Sequence, residues 1–172
     1  MAQERTGQYG LKGSPLTLVG PELKVGDAAP QFTAFAALVK PWSSAELAGK
    51  VAFINIVPSV DTGICDLQTK RFSEEANKIQ GVEWITISGD TPFAMSRWCA
   101  AGNITNLKML SDIGNYDFGH KYGVYVKEAG LLQRAIVIIG KDGKVAYFQR
   151  NAEFAAHVDY DAALAALKTV LG

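Results

Sequence analysis

Residues 51–57 read VAFINIV, an almost unbroken apolar run rich in β-branched side chains, and Pro58 ends it. A strand that shows one face to water alternates polar and apolar residues. A run without alternation belongs to a strand covered on both faces, which means a central strand in a sheet flanked by helices. From Gly63 the pattern changes: Ile64, Leu67, Phe72, Ala76 and Ile79 fall near helical spacing, with Asp66, Lys70, Arg71, Glu74, Glu75 and Lys78 mostly between them. An amphipathic helix therefore follows the strand directly.

The same succession recurs. VEWITIS at 82–88 reads as a strand, and DTPFAMSRWCAAG after it has a capping Asp or Thr and then a proline suited to a first helical turn. A short strand near Lys108 to Leu110, a short helix near Gly114 to Lys121 and a strand around Tyr122 to Val126 come next. RAIVIIGKDGKVAYFQ reads as a hairpin with a tight turn centred on Asp142 and Gly143, and the C-terminal helix starts at an N-cap Asp159 with Leu164, Leu167 and Leu171 on its apolar side. Upstream, PLTLVG belongs to an N-terminal β-hairpin over residues 8–19, expected to decorate the main fold, and a further strand lies near Gln31 to Phe35. The expectation is an α/β chain with a mixed central β-sheet flanked by helices. It forms one domain over residues 1–172, residues 1–20 being a hairpin extension.

Composition narrows the function. With 172 residues and 48% hydrophobic content the chain can bury one sizeable core. Lys and Arg total 17 against 17 for Asp and Glu, and the basic residues are scattered, so nothing gathers a nucleic acid. MAQERTGQYG lacks the features of a secretory signal, and no apolar stretch approaches the ~20 residues that span a bilayer. A soluble, cytoplasmic protein is expected. Two cysteines 34 positions apart and two histidines support neither a CxxC pair nor a metal centre, and no motif asks for a cofactor. In a reducing compartment, Cys65 and Cys99 are either inert buried thiols or a transient functional pair.

The stretch PSVDTGIC, residues 58–65, places Cys65 in the first turn of the helix if Thr62 or Asp61 caps it. There the free backbone N–H groups and the positive end of the helix dipole favour an anion, and only a thiolate is a competent nucleophile. The Thr62 hydroxyl, three residues earlier, can reach the sulfur, although a plain N-cap explains it too. Pro58 equally suits a strand terminator.

The spacing Pro58-x-x-x-Thr62-x-x-Cys65 resembles the active-site motif of the peroxiredoxins. Asp61-Thr62-Gly63, the segment TPFAMSRWC and the preceding VGDAAPQF are similar to the bacterial thiol peroxidase subgroup, atypical two-cysteine peroxiredoxins, over nearly the whole chain. The resemblance implies a thioredoxin-like fold in which Cys65 is the peroxidatic and Cys99 the resolving cysteine. It also implies hydroperoxide as substrate, an intramolecular Cys65–Cys99 disulfide, thioredoxin as reductant and a homodimer. Arg134, directly before AIVIIG, matches the family arginine that would favour the thiolate and polarise the peroxide, with Pro58 shielding the sulfur. Without the resemblance, Arg134 reads as an arginine snorkelling from a strand end and Cys99 as a core residue. The rival functions are a protein thiol-disulfide oxidoreductase, which here lacks its local CxxC, and a peroxide-sensing module without turnover.

Overall fold

The computed structural model describes residues 3–172, so the first two residues of the expected N-terminal extension lie outside the described residues. In chain order it contains β1 (Glu4–Leu11), β2 (Ser14–Val19), β3 (Thr33–Ala37), β4 (Lys40–Ser43), a 3₁₀ turn (Ser44–Leu47), β5 (Val51–Ile56), α1 (Gly63–Ala76), β6 (Val82–Ser88), α2 (Pro92–Gly102) and β7 (Lys108–Ser111). There follow α3 (Asp117–Lys121), β8 (Tyr125–Val126), β9 (Leu131–Leu132), β10 (Ala135–Ile139), β11 (Val145–Arg150) and α4 (Tyr160–Leu171).

The apolar run becomes β5, and it lies inside a seven-stranded sheet of order β11-β10-β5-β6-β7-β3-β4. Strands β5, β6 and β7 are parallel because α1 and α2 carry the chain back across the sheet between them. The flanking strands β10 and β3 run antiparallel. All six β5 residues are buried, as the missing alternation requires. Val51 and Phe53 pack with Phe72 of α1, Trp84, and Ala163, Leu164 and Leu167 of α4, while Ala52, Ile54 and Ile56 pack with Phe32, Trp42, Phe118 and Tyr122 on the other face.

Four features differ from the sequence expectation. The N-terminal hairpin starts at Glu4 rather than residue 8, and it is more than a decoration: β2 pairs with β8 to build a second, four-stranded sheet of order β1-β2-β8-β9. The strand expected around 122–126 is confined to Tyr125–Val126, and the helix expected from Gly114 begins at Asp117. The β3–β4 hairpin was not legible because its tip carries Val39 at φ 55°, a left-handed position filled by a β-branched residue instead of Gly or Asn. Finally, Leu67 is 58% exposed, and α1 turns Cys65, Gln68, Thr69, Phe72 and Ser73 inward.

Because β5 and β6 are parallel neighbours, the turns leaving their carboxyl ends lie side by side, and these turns start α1 and α2. The segments bearing the two cysteines therefore share one edge of the sheet.

Asp112, just past β7, is 2% exposed and accepts the N–H groups of Phe118 at 3.0 Å and Gly119 at 2.8 Å. Burial, opposed by those two bonds, pushes its carboxyl up to about 7. An unfolded Asp titrates near ~3.9, so between these values the folded chain holds a proton that the unfolded chain has released. Stability from this group is complete below the unfolded value and is lost as pH rises through about 7. The urea midpoint of the wild type is expected to fall as pH rises across that window, with a flatter profile for Asp112→Asn; identical profiles would refute the assignment.

Candidate active site

Val57 continues the strand for one more bond, its N–H donating to Ile87 O at 3.1 Å, and then Pro58, buried and without a donor, stops the pairing. The chain turns through residues 59–61 to Thr62, which has extended backbone angles (φ −87°, ψ 144°) and caps α1. The Thr62 hydroxyl does both things that the sequence left open. Its oxygen accepts the Cys65 N–H at 3.3 Å, and its proton points to Cys65 Sγ at 2.6 Å.

Arg134 reaches the same sulfur from across the sheet. Ala135 pairs with Ile56 and Ile136 with Asn55, so Arg134 stands one step beyond, opposite the end of β5. Side chains alternate along a strand, which directs Arg134 to the face that Ile136 shares with α1. It is 1% exposed, so it does not snorkel to solvent. Its guanidinium donates through Nη2 to Cys65 Sγ at 3.3 Å and through Nη1 to Gln68 Oε1 at 3.0 Å. Cys65 itself has no exposed surface.

Behind the guanidinium runs a buried polar chain. Gln68 Nε2 donates to Asn55 Oδ1 at 2.6 Å, and Asn55 Nδ2 donates to the hydroxyls of Thr69 and Thr86 at 3.2 and 3.1 Å. Gln68 and Asn55 are residues that the sequence reading missed. Asn55 is the legible signal among them, being the polar residue inside VAFINIV. Tyr9 of β1 was also missed: its buried hydroxyl comes beside the Arg134 backbone, and burial pushes it well above the ordinary phenol range.

Cys99 lies on α2 next to Trp98, and both pack with Val57, Val60 and Cys65. Cys99 is half-buried where Cys65 is fully buried, both thiols are free, and burial pushes the Cys99 thiol up. Two further contacts tie α2 to the start of α1. Trp98 Nε1 donates to Asp66 Oδ1 at 2.9 Å, and the exposed Arg97 pairs with Asp61 at 2.9 Å. Among the described residues no group of three or more His, Cys, Asp or Glu is placed to hold a metal ion, and no helix is long and apolar enough to cross a membrane.

Residues 25–148 match the model of the AhpC/TSA family. The chain is 45% identical over 160 residues to the thiol peroxidase of Bacillus subtilis (strain 168), covering 93% of this chain and 96% of that one. It is 43% identical to the thiol peroxidase of Staphylococcus aureus (strain MRSA252), covering 92% and 96%. Among solved structures it superposes on a peroxiredoxin-like protein from Aquifex aeolicus with a TM-score of 0.88 at 39% identity, covering 98% of both chains. A thiol peroxidase from Chromobacterium violaceum, at 22% identity and a TM-score of 0.81, shares the fold. The chain belongs to the AhpC/TSA family, the class of cysteine-based, peroxide-reducing enzymes on a thioredoxin-like fold. Within that class it is closely related to the bacterial thiol peroxidases.

The network behind Arg134 generates a test. Gln68→Met keeps the side-chain bulk but leaves Arg134 Nη1 and Asn55 Oδ1 buried without partners. A destabilisation of about 1–3 kcal/mol is expected for such orphaned groups. Urea unfolding of the variant checks it, and an unchanged midpoint would show that the network contributes nothing to stability.

Proposed function

We propose that the chain is a thioredoxin-dependent peroxidase that reduces hydrogen peroxide and organic hydroperoxides, with Cys65 peroxidatic and Cys99 resolving. One observation carries the reading: a sulfur in the first turn of α1 meets both the Thr62 hydroxyl and the Arg134 guanidinium, with Val57 and Val60, on either side of the Pro58 turn, packed against it. These groups are the donors and dipole that a nucleophilic sulfur and a breaking O–O bond require.

In the first step the Cys65 thiolate attacks the nearer oxygen of ROOH. The S–O bond forms as the O–O bond breaks, the sulfur loses two electrons, and the departing RO⁻ takes up a proton to leave as alcohol or, for hydrogen peroxide, as water. Arg134 and Thr62 are the donors for the charge that grows on the peroxide oxygens. In the second step the Cys99 sulfur attacks the sulfur of Cys65–SOH. The disulfide forms, and hydroxide leaves with the Cys99 proton as water. A dithiol then reopens the disulfide, supplying two electrons and two protons, and thioredoxin is the reductant proposed. A second copy of the chain and a reducing cytoplasm complete the setting.

The packing of Cys99 against the cluster around Cys65 supports the pairing. Both sulfurs nevertheless belong to intact helices, and a disulfide demands Cα atoms within about 7 Å and aligned Cβ atoms. We propose that the first turn of α1 and the segment around Cys99 unwind on oxidation to align the two sulfurs, breaking the Trp98–Asp66 bond.

Peroxide turnover with thioredoxin, thioredoxin reductase and NADPH tests the reading. All activity is expected to vanish in Cys65→Ser, and Cys99→Ser is expected to make one turnover and stop. Full activity without Cys65 would refute the peroxidatic assignment, whereas stoichiometric oxidation of the wild type that no dithiol reverses would favour a sensor. For the conformational step, hydrogen exchange of residues 62–68 and 95–102 is expected to quicken in the disulfide form, with a change in Trp98 fluorescence. Equal protection in both redox states would contradict the unwinding.

A further inference from the structure

The turn that carries Pro58 and Thr62 is packed through Val60 but makes few hydrogen bonds. Within it, Thr62 N–H reaches Ser59 O at a long 3.4 Å and Asp61 N–H reaches Ser59 Oγ at 3.2 Å. Among the described residues, its hydrogen bonds beyond the turn and α1 go to a single carboxylate, apart from the exposed Asp61–Arg97 pair. That carboxylate is Asp90. Its Oδ1 accepts the Ser59 hydroxyl at 2.8 Å, and its Oδ2 accepts the Val60 N–H at 2.8 Å. Asp90 is in turn fixed from its own side: Ser88 Oγ donates to Oδ2 at 2.6 Å, the Asp90 N–H returns to Ser88 Oγ at 3.1 Å, and Ser111 Oγ donates to the Asp90 carbonyl at 2.6 Å.

We infer that Asp90 is a positioning residue for the peroxide step. It holds Ser59 and Val60 and so sets where the Pro58 ring and the Thr62 hydroxyl stand relative to Cys65. The inference rests on the proposed peroxidase reading and extends it to a residue that contacts neither the sulfur nor the peroxide. Charge-assisted bonds to a carboxylate are the stronger kind, and a part-buried one holds its donors in a fixed direction. The location adds a second role for the same contact. Asp90 directly precedes Thr91, the N-cap of α2, so one anchor sets the peroxidatic turn against the root of the helix that bears Cys99. The anchor lies at the end of α2 remote from Cys99, so α2 can loosen around Cys99 while the turn stays in register.

The test uses the Cys99→Ser protein, in which Cys65 alone reacts, and compares two reactions of that sulfur. Oxidation by hydrogen peroxide needs Thr62, Arg134 and Pro58 in place. Alkylation by iodoacetamide asks only for a thiolate that the reagent can reach. Asp90→Ala is expected to slow oxidation by about 10²-fold, the scale of a displacement near 1 Å in a reacting site, while alkylation holds or quickens as the turn loosens. Asp90→Asn is expected to lie between, since its amide oxygen keeps the Val60 N–H and its NH₂ can face a Ser59 hydroxyl turned to accept. Ser59→Ala removes the hydroxyl bond to Asp90, together with the longer Asp61 N–H contact to Ser59 Oγ, and keeps the test open if the alanine variant at 90 does not fold. An oxidation rate unchanged in the folded Asp90 and Ser59 variants would overturn the inference, as would parallel loss of both reactions. If the Cys99→Ser parent is itself inert to peroxide, the peroxidase reading fails instead.

Discussion

The burial of one guanidinium governs how this site is built. Removing a charge from water is costly unless hydrogen bonds and an opposite charge replace what solvent supplied. Arg134 finds a carbonyl oxygen on Gln68 and a sulfur on Cys65, and neither partner is a carboxylate. A carboxylate would have neutralised the cation permanently. With Gln68 there instead, the guanidinium keeps a donor for Cys65 Sγ, and the arginine and the sulfur are buried together. The amides and hydroxyls from Gln68 through Asn55 to Thr69 and Thr86 fix the Gln68 side chain that the arginine needs, while Arg134 Nε is buried without a hydrogen-bond partner.

The two cysteines are treated differently by the same edge of the sheet. Cys65 sits at a helix N-terminus among donors, whereas Cys99 sits in the interior of α2, where burial alone acts on it and holds it in the thiol form. The contrast suits a division of labour in which one sulfur is kept ready for an electrophile and the other waits until its surroundings open. A thiol raised by burial becomes a better nucleophile when it is released to water, so unwinding around Cys99 would supply reactivity as well as reach.

Much of this was legible in the sequence because it depends on local rules. The unbroken run VAFINIV reported a strand buried on both faces, Pro58 marked its end, and Thr62 and Asp159 marked helix starts that the structure keeps. What escaped depends on register and on long-range packing. Which face of α1 turns inward was misjudged because Leu67 looked like a core residue, yet the sheet opposite presents Asn55 and Arg134 and selects Gln68 and Thr69 to meet them. Tyr9 was invisible for a similar reason: long-range contacts place it, the pairing of β2 with β8 and the backbone bonds of Gly10 with Ala152 and Phe154. The β3–β4 turn carries no turn chemistry at Val39 for a reader to find.

The inward face of α1 has a thermodynamic consequence. Of the five residues it buries, Phe72 is the large apolar one, and it lies two turns in; the preceding stretch holds on through Cys65, Gln68 and Thr69. Apolar area returned to water is uncompensated loss, about 25 cal/mol per Å², whereas a hydrogen bond broken in the interior is exchanged for one with solvent at a small net difference. The helix is thus riveted at Phe72 and latched before it. An opening that stops short of the rivet leaves Phe72 in place, so the unwinding proposed for the reactive end would be confined to the first turns of the helix and would leave the main core packed.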